Sequence, residues 1–226
     1  MQFQIVIPYW GTDARYRRLL EEWLAAYKAL ALPYPVVIAT DYDTPMQAKG
    51  VFWKNYSVKE VRADYPFDYK GQLVCAAIMA IHTPLLVLDS DAILQHDPEP
   101  LLREFEHKPF AMPADEGALG LKIRNRHAQE TNVPKRCAGV LWFGPGADRA
   151  HLVREYLRAF EELLSGRYYE ERRLFEQHAW SMVAHWTNAP FLPRTLNWCD
   201  LNTRNGPNPE AAIYHRIGQR KFSMQR

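Results

Sequence analysis

The chain has 226 residues, 47% hydrophobic and 24% charged, which is long enough to bury a core without disulfide or metal staples. Lys and Arg number 28 against 26 Asp and Glu, an excess too small for the electrostatic footprint of a nucleic-acid binder. Cys75, Cys137 and Cys199 are far apart with no CxxC pair, which predicts neither a disulfide framework nor a zinc knuckle, and points to a reducing, cytoplasmic setting.

The N-terminus "MQFQIVIPYWG" lacks the charged region and long apolar segment of a signal peptide. No run in the chain approaches the ~18 apolar residues of a membrane span. Residues 3–10, "FQIVIPYW", read as a first strand, apolar on both faces and closed by Pro8. Residues 14–32 follow with Leu19, Leu20, Trp23, Leu24, Tyr27 and Leu30 at helical spacing. "PYPVVIATD" is a second buried strand that stops at Asp41, and residues 70–83 form a mostly apolar helix leading into the strand "PLLVLDSD". This alternation predicts an α/β fold with a mostly parallel central sheet flanked by helices. Ligands in such sheets bind at the carboxyl ends of the strands. Those ends carry Tyr9 and Trp10, Asp41, and the pair Asp89 and Asp91.

In the second half, "CAGVLWFGPG" (137–146) reads as a strand broken by Gly-Pro-Gly. Residues 148–166 form an amphipathic helix with Leu152, Tyr156, Phe160 and Leu163 on one side, and residues 172–186 form another. The tail after Asn197 is too rich in Asn, Gly and Pro for a long element. No repeat or linker divides the chain, so one domain spanning 1–226 is expected.

Residues two apart on a strand share a face, so Asp89 and Asp91 are expected to project together. Two close carboxylates repel unless a proton or a cation lies between them. A divalent metal resolves this, and carboxylate oxygens suit Mg²⁺ or Mn²⁺. The plain alternative is a strand end at Asp89 followed by a turn capped by Asp91.

"PLLVLDSDAILQHDPEPLL" (84–102) resembles the DxD region of nucleotide-sugar-dependent glycosyltransferases of the GT-A fold. Three further stretches resemble that family's motifs, in the same order. "CAGVLWF" (137–143) is similar to its "N-(A/S)-G-V-h-h-F" strand, where Ala138 and Gly139 would let a sugar ring lie against the backbone; Cys137 stands where Asn is usual. "FEQHAW" (175–180) is similar to "D-Q-D", with Glu176 for the first Asp and Gln177 beside it. "IYHRIGQRKF" (213–222) is similar to "H-x-x-G-x-x-K".

The resemblance implies a metal held by Asp89, Asp91 and His215, with the imidazole favouring Mn²⁺ over Mg²⁺. Gly218 and Lys221 would meet the diphosphate, with Asp89 and Ser90 beside it, and Glu176 and Gln177 would face the reacting carbon. Tyr9, Trp10 and Asp41 are expected near the base or ribose, and Lys70, at the start of its helix, near the donor. Residues 1–105 would then form the nucleotide-binding half, ending in the DxD strand, and 106–226 the donor-sugar and acceptor half. The implied reaction is sugar transfer from a nucleoside-diphosphate sugar, a UDP-sugar, to a glycan, lipid-linked or protein acceptor. Likeness to the glycogenin and lipopolysaccharide galactosyltransferase group implies retention of configuration.

Competing readings are a non-catalytic nucleotide- or carbohydrate-binding domain of this fold, a nucleotidyltransferase, or a metal-dependent hydrolase. The single glycine of "PYWGTDARYRR" argues against the second. Basic residues in 14–32 and in the tail would suit an anionic membrane surface, but helix packing on the sheet and a solvated tail are the preferred account. Asp115 and Glu116 are further carboxylates, open to acceptor contact or to a base role if the enzyme inverts, and His178 and His185 read as structural.

Overall fold

A computed structural model of the chain describes residues 1–11, 13–41, 52–55, 66–115, 121–124, 130–165, 174–199 and 208–216. Strand β1 (Gln4–Pro8), helix α1 (Ala14–Leu30), β2 (Val36–Thr40), β3 (Phe52–Asn55), α2 (Pro66–Ala80) and β4 (Leu85–Leu88) come first. Then follow β5 (Ala92–Leu94), the short α3 (Glu99–Leu102), β6 (Phe110–Pro113), β7 (Leu121–Arg124), β8 (Glu130–Val133) and β9 (Val140–Phe143). Helices α4 (Arg149–Leu164) and α5 (Phe175–Trp186) lead to β10 (Phe191–Leu192), β11 (Trp198–Cys199) and β12 (Ile213–His215).

The apolar runs of β1, β2 and β4 pair in parallel at the centre of a seven-stranded sheet ordered β10-β6-β9-β4-β1-β2-β3. Within it only β9 runs against its neighbours, β4 and β6. The sheet is mostly parallel, as the strand–helix alternation predicts. A smaller sheet, β11-β12-β5, and the antiparallel pair β7-β8 stand beside it.

Because successive strand residues face opposite ways, β1 serves two cores at once. Ile5 and Ile7 join Leu20, Trp23 and Leu24 of α1 on one face, while Val6 joins residues of α2, α4 and α5 on the other. The Asp13 carboxylate caps α1 by accepting from the Arg15 amide, and Ala31 ends it in the left-handed region at φ 48°. Trp180 of α5 stacks on Tyr156 of α4 at 4.5 Å between ring centroids. Gly71 allows α2 to close on this pair, since a Cβ there would lie 1.7 Å from the Tyr156 hydroxyl oxygen. Among the described residues no helix is long and apolar enough to cross a membrane.

Candidate active site

The strand that delivers the two aspartates ends sooner than expected. β4 stops at Leu88, and residues 89–91 form a turn closed by a bond from the Ala92 amide to the Asp89 carbonyl, 2.9 Å. Strand alternation is therefore not what groups the carboxylates; the turn does, by sending the chain at once into β5. The indole of Trp23 donates to the Ala92 carbonyl at 2.9 Å and pins that exit.

β12 pairs antiparallel with β5 and sets His215 opposite Ala92. The Arg216 amide donates to the Asp91 carbonyl at 2.9 Å, tying the late strand to the turn. His215 Nε2 then lies 3.4 Å from Asp91 Oδ1 and 4.0 Å from Asp89 Oδ2. One ligand atom from each of Asp89, Asp91 and His215 falls within 4.8 Å of the others. Two carboxylate oxygens and one imidazole nitrogen at that spacing fit a hard-to-borderline divalent ion such as Mn²⁺ or Mg²⁺.

Lys70 is buried and central. Its ammonium donates to Asp89 Oδ2 at 3.0 Å and to the Ala138 carbonyl at 3.2 Å, and it forms ion pairs with Asp89 Oδ1 at 2.8 Å and Glu176 Oε2 at 3.3 Å. Helix α2 begins at Pro66, so Lys70 sits within the helix rather than opening it. Burial opposes its charge, but the carboxylates of Asp89 and Glu176 outweigh that and raise its pKa above the ordinary value. Burial likewise raises Asp89, against the pull of Lys70. Glu176 is 5% exposed, and its Oε1 has no hydrogen-bond partner among the described residues. Burial, opposed by Lys70 and reinforced by Asp89, pushes its carboxyl up to about 7.

This shift has a sign that can be measured. Between the ordinary value of 4.5 and about 7, the native carboxyl keeps a proton that the unfolded chain has lost. Stability that Glu176 lends below this window is therefore lost as pH rises through it, with a slope of at most about 1.4 kcal/mol per pH unit. Glu176→Gln removes that component, so the difference between wild type and variant in urea unfolding should change across the window. A difference independent of pH would contradict the assignment.

His215 is held from its other side by residues the sequence did not single out as a site. Asn197 Oδ1 lies 3.0 Å from Nδ1, and the sulfurs of Cys137 and Cys199 lie 3.6 and 3.9 Å from it. Burial lowers the imidazole pKa, but the Cys137 sulfur and the Asp91 carboxylate raise it well above normal. The neighbouring Cys199 thiol and the imidazole hold Cys137 well below the usual thiol value. Asn197 lies just before the two-residue β11 and Cys199 within it, in the polar tail, where no periodicity marks them. Gly139 differs from expectation: its open side does not face a free space for a sugar but holds the His215 ring, with a notional Cβ 2.0 Å from Cε1. Ala138 is buried and contributes its carbonyl to Lys70.

A cleft of about 410 Å³ runs from the end of β1 to this cluster, lined by Tyr9, Trp10, Lys70, Asp89, Ser90, Asp91, Glu176 and Gln177. Asp13, Arg15 and Tyr16 at the start of α1 also line it; the helix pattern hides them because only the later turns are apolar. The Tyr9 hydroxyl is buried with no hydrogen-bond partner among the described residues. Gln177 Nε2 donates to Asp115 Oδ2 at 3.0 Å. Asp41 follows β2 and is not among the cleft-lining residues. Gly218, Lys221 and Glu116 lie outside the described residues. His178 is fully buried and His185 exposed.

No protein-family model matches the chain, and no curated protein matches its sequence. Solved structures do match. The fold is that of the GT-A-like glycosyltransferases, which the sequence motifs resemble. Mouse xyloside xylosyltransferase 1 superposes with a TM-score of 0.65 at 12% identity, over 97% of this chain and 99% of that one. The galactosyltransferase LgtC, solved with donor and acceptor sugar analogs, gives 0.61 at 12% identity, over 95% and 87%. The glycosyltransferase GlyE of Streptococcus pneumoniae TIGR4 gives 0.64 at 15% identity, over all of this chain and 57% of GlyE.

Proposed function

We propose that this chain is a glycosyltransferase that moves a sugar from a nucleoside-diphosphate sugar, a UDP-sugar, to a glycan, lipid-linked or protein acceptor with a divalent metal and with retention. The observation that carries the reading is the convergence of His215 on Asp89 and Asp91, two carboxylates that line a cleft together with Lys70 and Glu176. The cleft volume lies within the range of small-ligand sites, and the orphaned Tyr9 hydroxyl and Glu176 Oε1 are polar atoms suited to a ligand's hydroxyls or base.

In this reading Asp89, Asp91 and His215 hold Mn²⁺ or Mg²⁺, which when bound supplies positive charge against the departing diphosphate. Lys70 partly neutralises Asp89 beforehand, which eases its approach to Asp91. The free oxygen of Glu176 accepts from a donor-sugar hydroxyl and places a carboxylate near the carbon where positive charge develops. Gln177, braced by Asp115, orients the same sugar. Tyr9 and Trp10 provide the wall for the base, and Ser90 lies beside the diphosphate. Gly218 and Lys221 belong to the same proposed donor site, whereas Asp41 is off the cleft wall and is not part of it. Residues 1–105 would bind the nucleotide and 106–226 the sugar and acceptor, within one domain. The cytoplasm is the proposed setting, consistent with three cysteines not joined in disulfides, and the membrane is not the favoured partner.

The test is UDP release from a panel of UDP-sugars with Mn²⁺, offered simple sugars as acceptors, for wild type and Asp91→Asn. Release that needs metal, rises with an acceptor and falls at least ~100-fold in the variant (roughly 2.7 kcal/mol of barrier) supports transfer. Release indifferent to acceptor would make the protein a hydrolase, and none from any donor would leave a binding domain.

A further inference from the structure

The face of His215 turned away from the aspartates has a chemistry that sugar transfer does not use. Cys199 stands directly opposite His215 in the β11–β12 ladder, and the Cys137 amide is fixed by the Pro113 carbonyl at 3.1 Å. Three separate segments thus bring two sulfurs and Nδ1 within 4.8 Å of one another, all buried. In a tetrahedral zinc site, metal–sulfur bonds of ~2.3 Å and metal–nitrogen bonds of ~2.0–2.1 Å put nitrogen and sulfur roughly 3.6 Å apart. The separations here are 3.6 and 3.9 Å. Asn197 Oδ1, 3.0 Å from Nδ1, is a fourth donor in reach. The two sulfurs are also what separates this site from the oxygen-rich aspartate pair in metal preference.

We infer that Cys137, Cys199 and Nδ1 of His215 form a second, sulfur-rich metal site for an ion of the Zn²⁺ class, and that its loading opposes use of His215 Nε2 by the aspartate pair. Binding releases two protons to solvent, one from the Cys199 thiol and one shared by the Cys137–His215 pair, so two thiolates and a neutral imidazole hold the ion and the buried site gains no net charge. A neutral imidazole carries one hydrogen. With Nδ1 on the sulfur-site ion that hydrogen stays on Nε2, where it points a donor rather than a lone pair at Asp91. The second clause rests on the proposed transferase site; the first does not.

The experiment is titration of the reduced, metal-free full chain with Co²⁺, reading thiolate-to-cobalt charge-transfer absorption. A band saturating at one ion per chain, bleached by Zn²⁺, is expected in wild type, Cys75→Ala and Asp91→Asn, and lost in Cys137→Ala and Cys199→Ala. If those two variants fail to fold, X-ray absorption of the Zn²⁺-loaded wild type decides, with two sulfur neighbours expected. No thiolate band, a band that survives both cysteine variants, or a zinc shell without sulfur overturns the site. For the competition, one equivalent of Zn²⁺ should remove the Mn²⁺-dependent melting shift caused by UDP in wild type but not in Cys199→Ala. A shift that survives Zn²⁺ in wild type overturns the second clause. Failure of UDP to bind at all would sink the transferase reading while leaving the thiolate band to stand or fall by itself.

Discussion

Lys70→Met should lower the free energy of unfolding by about 3–5 kcal/mol, the cost of removing one partner from a buried ion pair. The size follows from what is left behind. Lys70 hydrogen-bonds one oxygen of Asp89, pairs with the other at 2.8 Å, and lies 3.3 Å from Glu176, a carboxylate that is itself buried. Without the ammonium, two acids face each other in a poorly solvated place, and each must take a proton or draw in a cation. The loss should therefore shrink as the pH falls and both carboxyls protonate, and it should shrink in Lys70→Met/Glu176→Gln. Urea unfolding in the presence of a chelator reads all three. A loss below about 1 kcal/mol, the size of an exposed ion pair, would show that the lysine is not structurally central.

Gly139→Ala should damage metal binding more than its single methyl suggests. The added Cβ would lie 2.0 Å from His215 Cε1 and within 2.8 Å of both ring nitrogens. The ring has no easy retreat, with Asn197, Cys137 and Cys199 on one side and Asp91 on the other. Overpacking of this kind costs about 1–3 kcal/mol of stability. Displacement of a ligand should also weaken Mn²⁺ affinity by at least the ~10–100-fold typical of disturbing a ligand's support. Manganese titration followed by electron paramagnetic resonance gives the affinity directly. Unchanged affinity would mean that His215 is not a ligand to that ion.

The parts of this molecule that local pattern controls could be read from the sequence. Runs such as "QIVIP" and "LLVL" are apolar on both faces because their strands lie at the centre of a covered sheet, and the spacing of Leu19, Leu20, Trp23 and Leu24 marks the buried stripe of α1. Asp89, Asp91 and His215 were legible as motif residues, and the structure brings them together. The reason for their meeting was not legible. It lies in a turn and in the three-residue strand β5, whose pairing with β12 joins segments more than a hundred residues apart. Asn197 and Cys199 escaped for the same cause: β11 is two residues long and exists only as a ladder with β12. Gly139 was legible as a close-approach glycine but not what approaches it, because the His215 ring arrives from the far end of the chain.

Under the proposed function Asp89, Asp91 and His215 hold a metal that binds a nucleoside diphosphate in the cleft. Calorimetric titration with UDP, with Mn²⁺ or with a chelator, on wild type and Asp91→Asn, tests it most directly. Saturable binding by the wild type that requires Mn²⁺ and disappears in Asp91→Asn is the predicted result; at ~100 times the dissociation constant it would add about 2.7 kcal/mol of stability as an independent check. UDP binding that is equal without metal or unchanged by Asp91→Asn, or no binding under any condition, would contradict it.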